Sequence, residues 1–261
     1  MRIGAHVNST APLDEAAARG ADIAQFFLSS PQSWTKPKPR EDAGALRDSD
    51  VEIVIHAPYL INVATTNNKV RAPSRALLSA YVVAASEIGA SGVVVHGGHL
   101  PIEDDPALGI ANWRKTFEYA EREGGFGCRV LIENTAGGKN AMTRSLDQFA
   151  RLWDAVGEYG PGVCLDTCHA HAGGEELLTV VARMRAITGT IDLVHANNSK
   201  DEFNSGRDRH DNFVKGQIDP GLLCEIVTAA AAPVIVETPN GAQAQAEDIA
   251  LLKDLLSARG N

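Results

Sequence analysis

Short apolar runs rich in β-branched residues recur eight times along the chain. They are RIGAHV (2–7), IAQFFL (23–28), VEIVIH (51–56), GVVVH (92–96), RVLIE (129–133), GVCLD (162–166), DLVH (192–195) and APVIVE (232–237). Most are apolar at consecutive positions instead of alternating with polar residues, which is typical of parallel strands covered on both faces. The pattern therefore predicts eight buried parallel strands.

Stretches with helical spacing separate these strands. Two of them are PSRALLSAYVVAASEIG (73–89) and SLDQFARLWDAVGEYG (145–160), each closed by a glycine that suits a helix end, and the second opens with the capping-box pattern from Ser145 to Gln148. Strand alternating with helix in this way predicts an α/β fold, a single-domain (β/α)8 TIM barrel. No linker, low-complexity segment or composition break divides the chain, so we expect one domain over residues 1–261.

Composition limits the class of protein further. A hydrophobic content of 44% with 22% charged residues is ordinary for a soluble protein with a sizeable core. No segment approaches 18 consecutive apolar residues and the N-terminus lacks the pattern of a signal peptide, so we expect a cytoplasmic protein that does not enter a membrane. The cysteines are too few for a disulfide scaffold and are expected to be buried and reduced: Cys128, Cys164, Cys168 and Cys224.

Nine side chains that can bind metal ions stand at or near the ends of these strands. Six close a run, a seventh follows in the next turn, and two lie in the polar loop SGRDRHDN; in chain order they are His56, His96, Glu133, Asp166, His169, His195, Asp208, His210 and Glu237. A single histidine at a strand end is usually a core residue. Because the C-terminal ends of barrel strands meet at one mouth, nine such residues together predict a polynuclear metal site.

The ligand types indicate which metals would bind. Five imidazoles and four carboxylates suit zinc, manganese or iron better than calcium or magnesium, which prefer oxygen alone. With one bridging carboxylate, nine ligands are enough for three ions. The remaining histidines, His6, His99 and His171, are expected to pack in the core or to support the ligands.

The formal net charge of −9 argues at first against a nucleic-acid partner. Three divalent cations would add six charges and bring the total from −9 to −3, with all six charges at the mouth. Against four carboxylates they leave an excess of about two positive charges, which suits a phosphate group. No G-x-x-x-x-G-K-[ST] loop is present, so chemistry on a nucleoside triphosphate is not expected.

Several motifs resemble those of the endonuclease IV family of apurinic/apyrimidinic endonucleases, which are TIM barrels. They are HAPYLIN (56–62), VVHGGH (94–99), LIENTAGG (131–138), GVCLDTCHAHAGG (162–174), DLVHANNSKDE (192–202), SGRDRHDN (205–212) and VIVETP (234–239). The resemblance extends from IGAHV to the final helix and so covers essentially the whole chain.

The resemblance implies a site with three Zn²⁺ ions per chain, with Mn²⁺ or Fe²⁺ as an alternative at one position. One ion would be held by His56, His96 and Glu133; Glu133 would bridge to a second held by Asp166, His195 and Glu237; a third would be held by His169, Asp208 and His210. The implied catalytic residue is the bridging Glu133, and the implied nucleophile is a hydroxide held between ions.

The implied reaction is hydrolysis of the phosphodiester 5′ to an abasic deoxyribose in duplex DNA. It leaves a 3′-hydroxyl and a 5′-deoxyribose phosphate, and the family resemblance implies related removal of blocking groups from 3′ ends. Duplex DNA with abasic sites or 3′-blocked ends is therefore the expected partner. We expect a monomer, because the chain has no heptad or amphipathic extension beyond the barrel.

Some expectations concern the surface that would face DNA. Tyr59 and Leu60 match the family's wedge in the third loop, whereas Gln32 stands where well-known members have an arginine. Asn198 stands where many members have aspartate, and His171 where an aromatic or other residue is usual. Basic loop residues expected on the ligand face, as contacts for the DNA backbone, are Lys36, Lys38, Arg40, Lys69, Arg71, Lys139, Lys200, Arg207 and Lys215.

Two other functions fit parts of the pattern. A xylose-isomerase-like sugar isomerase or epimerase shares the barrel and uses Glu, Asp and His at strand ends around one or two ions. It has no need of the Asp208 and His210 pair or of a basic rim. A catalytically inactive DNA-binding barrel is disfavoured by nine intact ligands.

Overall fold

A computed structural model describes residues 1–259. Eight parallel strands close into a barrel. They are β1 (Ile3–His6), β2 (Ile23–Phe26), β3 (Glu52–His56), β4 (Gly92–His96), β5 (Val130–Glu133), β6 (Gly162–Asp166), β7 (Leu193–His195) and β10 (Val234–Val236). Around the barrel they follow the order β1-β10-β7-β6-β5-β4-β3-β2. All eight predicted strands are confirmed, and so is the TIM barrel. The predicted domain of 1–261 includes Gly260 and Asn261, which lie outside the described residues.

Helices connect the strands around the outside of the barrel. They are α1 (Pro12–Ala17), α2 (Ala43–Arg47), α3 (Asn68–Glu87), α4 (Pro106–Arg122), α5 (Leu146–Val156), α6 (Thr167–Gly173), α7 (Leu177–Thr188), α8 (Pro220–Ala230) and α9 (Gly241–Arg259). Within residues 1–259, none is both long and apolar enough to cross a bilayer.

The two helices predicted in detail are present, with shifted ends. Helix α3 begins five residues before the predicted start, because the side chain of Asn67 accepts a hydrogen bond from the Lys69 amide and caps it. Helix α5 has the predicted capping box between Ser145 and Gln148. It ends at Val156, and a 3₁₀ turn then leads to Gly160, whose φ of 67° reverses the chain.

The long connection from β7 to α8 contains a small antiparallel hairpin. Its strands are β8 (Asn198–Ser199) and β9 (His210–Asp211). The buried amide of Asn198 donates to the carbonyls of Phe213 and Ile218, both at 2.7 Å, and accepts from the Ile218 amide at 2.7 Å. An aspartate could not donate to those two carbonyls, so the asparagine at this position suits the local backbone.

The core has two parts. The larger part lies between the strands and the helices. The smaller part fills the inside of the barrel with one buried residue from each of seven strands, and we call it the apolar plug: Ile23, Val54, Val94, Leu131, Cys164, Leu193 and Ile235. The eighth strand, β1, contributes Gly4 at the corresponding inward-facing position, where a Cβ atom would lie 1.7 Å from the carbonyl oxygen of Ile23. Barrel closure between β1 and β2 therefore requires a glycine there.

Gly4→Ala should destabilise the protein by at least about 2 kcal/mol, because the methyl group meets rigid backbone and forces the two strands apart. Urea unfolding followed by circular dichroism measures this loss. Gly44→Ala in α2 is the matched control, since a Cβ there meets no atom of residues 1–259 within 4 Å and alanine favours a helix. Equal stabilities of the two variants would contradict the requirement for glycine in β1.

Candidate metal centre

The two-residue period of a strand determines which side chains face the barrel interior above the apolar plug. On each of the seven plug-bearing strands, the residue two positions beyond the plug residue points inward again; it lies at or just past the strand end in six of them and one residue before the end in β2. These residues are Gln25, His56, His96, Glu133, Asp166, His195 and Glu237, and His6 stands in the same relation to Gly4. The barrel therefore presents a ring of polar side chains at its C-terminal mouth, directly above an apolar floor.

The first ligand group consists of His56, His96 and Glu133, whose ligand atoms lie within 4.8 Å of one another. Glu133 Oε2 is 3.4 Å from His56 Nε2 and 3.1 Å from His96 Nε2. His56 Nδ1 lies 2.7 Å from the carbonyl oxygen of Ala57, and because a carbonyl only accepts, Nδ1 carries the hydrogen. The free Nε2 of His56 therefore faces the site.

The second group is formed by Glu133, Asp166, His195 and Glu237. His195 Nδ1 is 3.0 Å from Glu133 Oε1, 3.3 Å from Glu237 Oε2 and 3.9 Å from Asp166 Oδ2. Glu133 belongs to both groups, with one carboxylate oxygen toward each. This is the geometry expected of a carboxylate that bridges two ions.

The third group contains His169, Asp208 and His210. Asp208 Oδ2 lies 3.1 Å from His169 Nε2, and Asp208 Oδ1 lies 3.2 Å from His210 Nε2. His169 was expected in a turn, but it lies in the first turn of α6, which Asp166 caps by accepting from the His169 amide at 2.6 Å. The hairpin supplies the other two residues. The structure thus brings all nine predicted ligands together, and their binding of ions stays a prediction.

Three buried ligand atoms have no hydrogen-bond partner among residues 1–259: Glu133 Oε2, His169 Nε2 and His210 Nε2. Each nevertheless lies 3.1–3.2 Å from a potential ligand atom of another residue. Buried polar atoms without partners are rare and costly, and a cation between each pair would satisfy them. Together with the imidazole and carboxylate donor set, these atoms fit zinc or a similar transition metal.

The carboxylates of the site favour positive charge on the groups beside them. Burial opposes ionisation of Glu133, but the charges of His195 and His96 outweigh it and hold the pKa of Glu133 well below its usual value. Burial likewise opposes protonation of His169 and His210. At His169 the charges of Asp166 and Asp208 outweigh burial and raise the pKa well above its usual value. At His210 the close contact with Asp208 and the charge of Asp166 outweigh burial and raise the pKa to about 9. The carboxylates therefore draw protons onto the imidazoles when no metal competes.

Two thiols lie close to the ligands. The sulfur of Cys164 lies within 4.8 Å of ligand atoms of Glu133 and His195. The sulfur of Cys168 lies within 4.8 Å of ligand atoms of Asp166 and His210. Burial raises the pKa of both thiols to about 12, so they remain protonated, whereas a metal ligand must be a thiolate. The prediction that all four cysteines are buried and free of disulfides is confirmed.

Sequence reasoning missed three side-chain amides that hold the ligands. Asn197 donates to Asp166 Oδ2 at 2.7 Å and accepts from the Glu237 amide at 2.7 Å. Asn134 accepts from the Asp166 amide at 2.8 Å, and Gln25 donates to Glu237 Oε1 at 2.7 Å. A signal existed in each case, since Asn134 follows a ligand directly, Asn197 follows one by two residues, and Gln25 interrupts an apolar strand.

The three remaining histidines fall outside the ligand groups found among the described residues. His6 Nδ1 lies 3.0 Å from the Gln25 amide nitrogen and His99 packs against Asn62. His171 Nε2 lies 3.2 Å from the Asp201 carbonyl oxygen. Of the three, His6 is the one that supports a ligand, through its contact with Glu237 at 3.4 Å.

A cleft of about 470 Å³ opens beside the ligands and is lined by Tyr59, Leu60 and the ligands His96, His169 and Asp208. Tyr59 is 54% exposed, and its ring lies 5.5 Å from that of His56 and 5.7 Å from that of His96. The predicted wedge therefore stands at the edge of the centre. Partial burial beside the centre, together with the negative charges of Glu237 and Glu133, raises the pKa of Tyr59, so its phenol is neutral.

The predicted basic contacts lie in different places. Lys36 and Lys38 line a groove against residues 76–87 of α3, on the outer side of the barrel. Arg207 is exposed and lies near the mouth, 3.5 Å from Asp201 Oδ1, and Gln32 is exposed in the loop after β2.

Two further arginines are engaged by the protein itself. Arg40 pairs with both oxygens of Asp42 and lies over the ring of Phe26. Arg71 donates to the carbonyls of Thr65 and Thr66. The remaining basic residues named from the sequence, Lys69, Lys139, Lys200 and Lys215, are exposed.

The chain is similar to known proteins in family, sequence and structure. Residues 13–255 match a family model described as a xylose isomerase-like TIM barrel. A protein of Mycobacterium tuberculosis named "Probable endonuclease 4" is 53% identical over 254 residues, which cover 97% of this chain and 98% of that protein. The protein of the same name from Mycobacterium marinum is 50% identical over 258 residues, 99% of this chain and 100% of that protein.

Solved structures give the same placement. Endonuclease IV from Thermus thermophilus superimposes with a TM-score of 0.84 at 27% identity, covering 99% of this chain and 100% of that one. A D-tagatose 3-epimerase-like protein superimposes with a TM-score of 0.80 at 19% identity, over 100% of this chain and 98% of that one, and shows the shared fold alone. By its family match and its relatives, the chain belongs to the endonuclease IV family of xylose isomerase-like TIM barrels.

Proposed function

We propose that this protein is a zinc-dependent endonuclease of DNA repair that hydrolyses the phosphodiester 5′ to an abasic site in duplex DNA. The products would be a 3′-hydroxyl and a 5′-deoxyribose phosphate. The observation that carries the proposal is the convergence of three ligand groups on one mouth, two of which share Glu133. The endonuclease names of the relatives at 50–53% identity support the choice of substrate class.

The third ligand group favours a nuclease over a sugar isomerase. An isomerase of this fold needs the strand-end ligands around one or two ions, which the first and second groups already provide. His169, Asp208 and His210 would have no task in such an enzyme. Hydrolysis of a phosphodiester, in contrast, involves negative charge on the phosphate, on the attacking oxygen and on the leaving oxygen as its bond to phosphorus breaks, and each of the three would gain from a nearby cation.

Divalent ions in these groups would supply an activated water molecule and neutralise the charge on phosphorus. The side chains of the protein would hold these ions and orient them. Glu133 would keep two ions adjacent through its two oxygens, at contacts of 3.0–3.4 Å to the neighbouring imidazoles. The apolar plug below keeps bulk water away from the floor of the site. The proposed ions are three Zn²⁺, with Mn²⁺ or Fe²⁺ as an alternative at one position.

The cleft beside the centre would receive the abasic sugar. Its wall includes Gly137 and Gly138, which lack side chains and leave room beside His169. Tyr59 and Leu60 would enter the gap left by the missing base, in the way that apolar wedges stabilise an unstacked duplex. A 3′ blocking group is attached through a phosphate ester on the same 3′ oxygen, without the downstream strand, so we propose that the same site also has 3′-phosphatase and 3′-phosphodiesterase activity.

The surrounding basic residues would contact the DNA backbone. Arg207, which is exposed near the mouth, would contact a phosphate close to the lesion. Lys36 and Lys38, on the outer face of α3, would reach only DNA that extends past the rim. We propose Gln32 as a polar contact in the loop after β2, and we propose that a single monomer binds the duplex.

Glu133→Gln should abolish incision of a duplex oligonucleotide with one abasic analogue, a loss of at least about 10³-fold, because a neutral amide cannot bridge two cations. Gel analysis of the 5′-labelled strand measures cutting, and elemental analysis measures zinc. The wild-type protein should hold about three ions and the variant fewer. Glu121→Gln, on the exposed side of α4, is the matched control and should cut normally. An intact duplex with metal-loaded wild-type protein, or one ion per chain, would refute the nuclease.

Replacing Tyr59 and Leu60 together with alanine should weaken binding to abasic duplex by roughly 10-fold or more while leaving the zinc content unchanged, because neither residue belongs to a ligand group. Fluorescence anisotropy with abasic and undamaged duplexes measures the difference. Leu178→Ala, at an exposed apolar residue of α7, serves as the control for the loss of apolar surface. If the double variant binds abasic duplex as tightly as the wild type, the wedge does not exist.

Stability should depend on pH in opposite ways with and without metal. In the metal-stripped protein the raised pKa of His210 stabilises the fold fully below about pH 6.5, and this contribution disappears as the pH rises through about 9. The expected loss is on the order of 3 kcal/mol for His210 alone. The lowered pKa of Glu133 contributes above about pH 4 and is lost in acid. Zinc competes with protons, so zinc-loaded protein should gain stability over the same rise in pH.

Thermal unfolding at matched ionic strength, with and without zinc, measures both pH profiles. His210→Asn should remove much of the decline of the metal-stripped protein between pH 6.5 and 9. Parallel profiles for the two forms would show that the imidazoles do not exchange protons for metal.

A further inference from the structure

Two strands of the barrel provide no ligand, yet their inward-facing ends reach the metal centre. Strand β1 ends in His6 and strand β2 carries Gln25, and the two residues are partners in the register between these strands. Gln25 is completely buried and stands two residues above Ile23 of the apolar plug. An apolar side chain would cost less free energy to bury at this position, so the amide must be stabilised by hydrogen bonds.

The amide of Gln25 makes three contacts at the centre. Its Oε1 lies 2.8 Å from His195 Nε2, its Nε2 lies 2.7 Å from Glu237 Oε1, and the same Nε2 lies 3.0 Å from His6 Nδ1. Two of the three partners, His195 and Glu237, belong to the second ligand group. Gln25 therefore spans the inside of the barrel from β2 to β7 and to the end of β10.

Donor and acceptor chemistry fixes the orientation of this amide. An ionised Glu237 carboxylate only accepts, so it must face the NH₂ end of Gln25. The carbonyl end then faces His195 Nε2, which must carry the hydrogen. A flipped amide would place two oxygens 2.7 Å apart and leave the His195 N–H opposite another donor group. The contacts thus agree with one orientation alone.

We propose that Gln25 is a positioning residue that selects Nδ1 of His195 as the metal-binding atom and holds the carboxylate of Glu237 toward the second ion. With Nε2 protonated and bound to Gln25, the lone pair of His195 Nδ1 points to the space between Glu133 Oε1 and Glu237 Oε2, at 3.0 and 3.3 Å. Such outer hydrogen bonds orient ligands and tune their basicity. The inference rests on the proposed metal centre.

A neutral amide suits this task better than the carboxylate that often supports a metal-bound histidine. The centre already contains four carboxylates, and three divalent ions leave about two positive charges for the phosphate. A fifth carboxylate at position 25 would remove one of them and would lie against Glu237. Glutamine supplies an acceptor for His195 and a donor for Glu237 without changing the charge.

Gln25→Leu should lower the affinity for one of the three zinc ions by roughly 10–100-fold and leave the other two unchanged. Zinc titration at buffered free-zinc concentrations measures each affinity. At limiting zinc the variant should lose abasic-site incision, and saturating zinc should restore most of it. Gln148→Leu removes the capping-box glutamine of α5, away from the ligands, and is the matched control: its zinc affinities should equal those of the wild type. Unchanged affinities in folded Gln25→Leu would overturn the proposal.

A second measurement needs no variant and so does not depend on folding of Gln25→Leu. In zinc-loaded wild-type protein labelled with ¹⁵N-histidine, the His195 ring should show a protonated Nε2 and a metal-bound Nδ1; His195→Asn assigns the resonance. Metal on Nε2 would overturn the role of Gln25. A wild-type protein that binds no zinc would instead refute the metal centre itself, so the two failures are distinguishable.

Discussion

The two-residue period of the barrel strands determines the part of the candidate site that lies at the strand ends. Side chains alternate between the helix layer and the barrel interior, so a strand that places an apolar residue in the plug must place its next inward residue at the mouth. Leu131 precedes Glu133 in this way, and Leu193 precedes His195. A shift of one residue in register would turn a ligand into the helix layer and expose an apolar side chain to the charged ring.

Burial of so many ionisable groups couples stability to chemistry. Glu133, Asp166 and His195 are completely buried, and an isolated charge at such a depth would be strongly unfavourable. Opposite charges at about 3 Å offset this cost, which is why protons collect on the imidazoles when metal is withheld. The folded protein thus needs positive charge at the mouth whether or not a substrate is bound. Zinc would supply that charge in place of the protons, and each ion would carry a higher charge than a protonated imidazole.

The sequence alone predicts the strands and their terminal residues because both depend on local pattern. Apolar runs give the strands, and the convergence of strand ends in a barrel gives the ligands. Contacts between residues distant in sequence escape such reasoning. Gln25 meets His195 across 170 positions, and the course of Lys36 and Lys38 depends on packing against α3. Asn198, expected only as a departure from a family pattern, organises the connection that carries Asp208 and His210.

The shared barrel does not by itself decide the chemistry, because the first two ligand groups lie almost wholly on strand ends that any such barrel possesses. The third group is different: two of its three members come from the hairpin in the β7–α8 connection, and only His169 comes from α6. That hairpin has two residue pairs, and the buried side chain of Asn198 fixes it to the carbonyls of Phe213 and Ile218. An ion bound there would fasten the hairpin to α6. The element that distinguishes this centre from a two-ion site is therefore positioned by the chain itself, and an ion would meet ligands that already lie together.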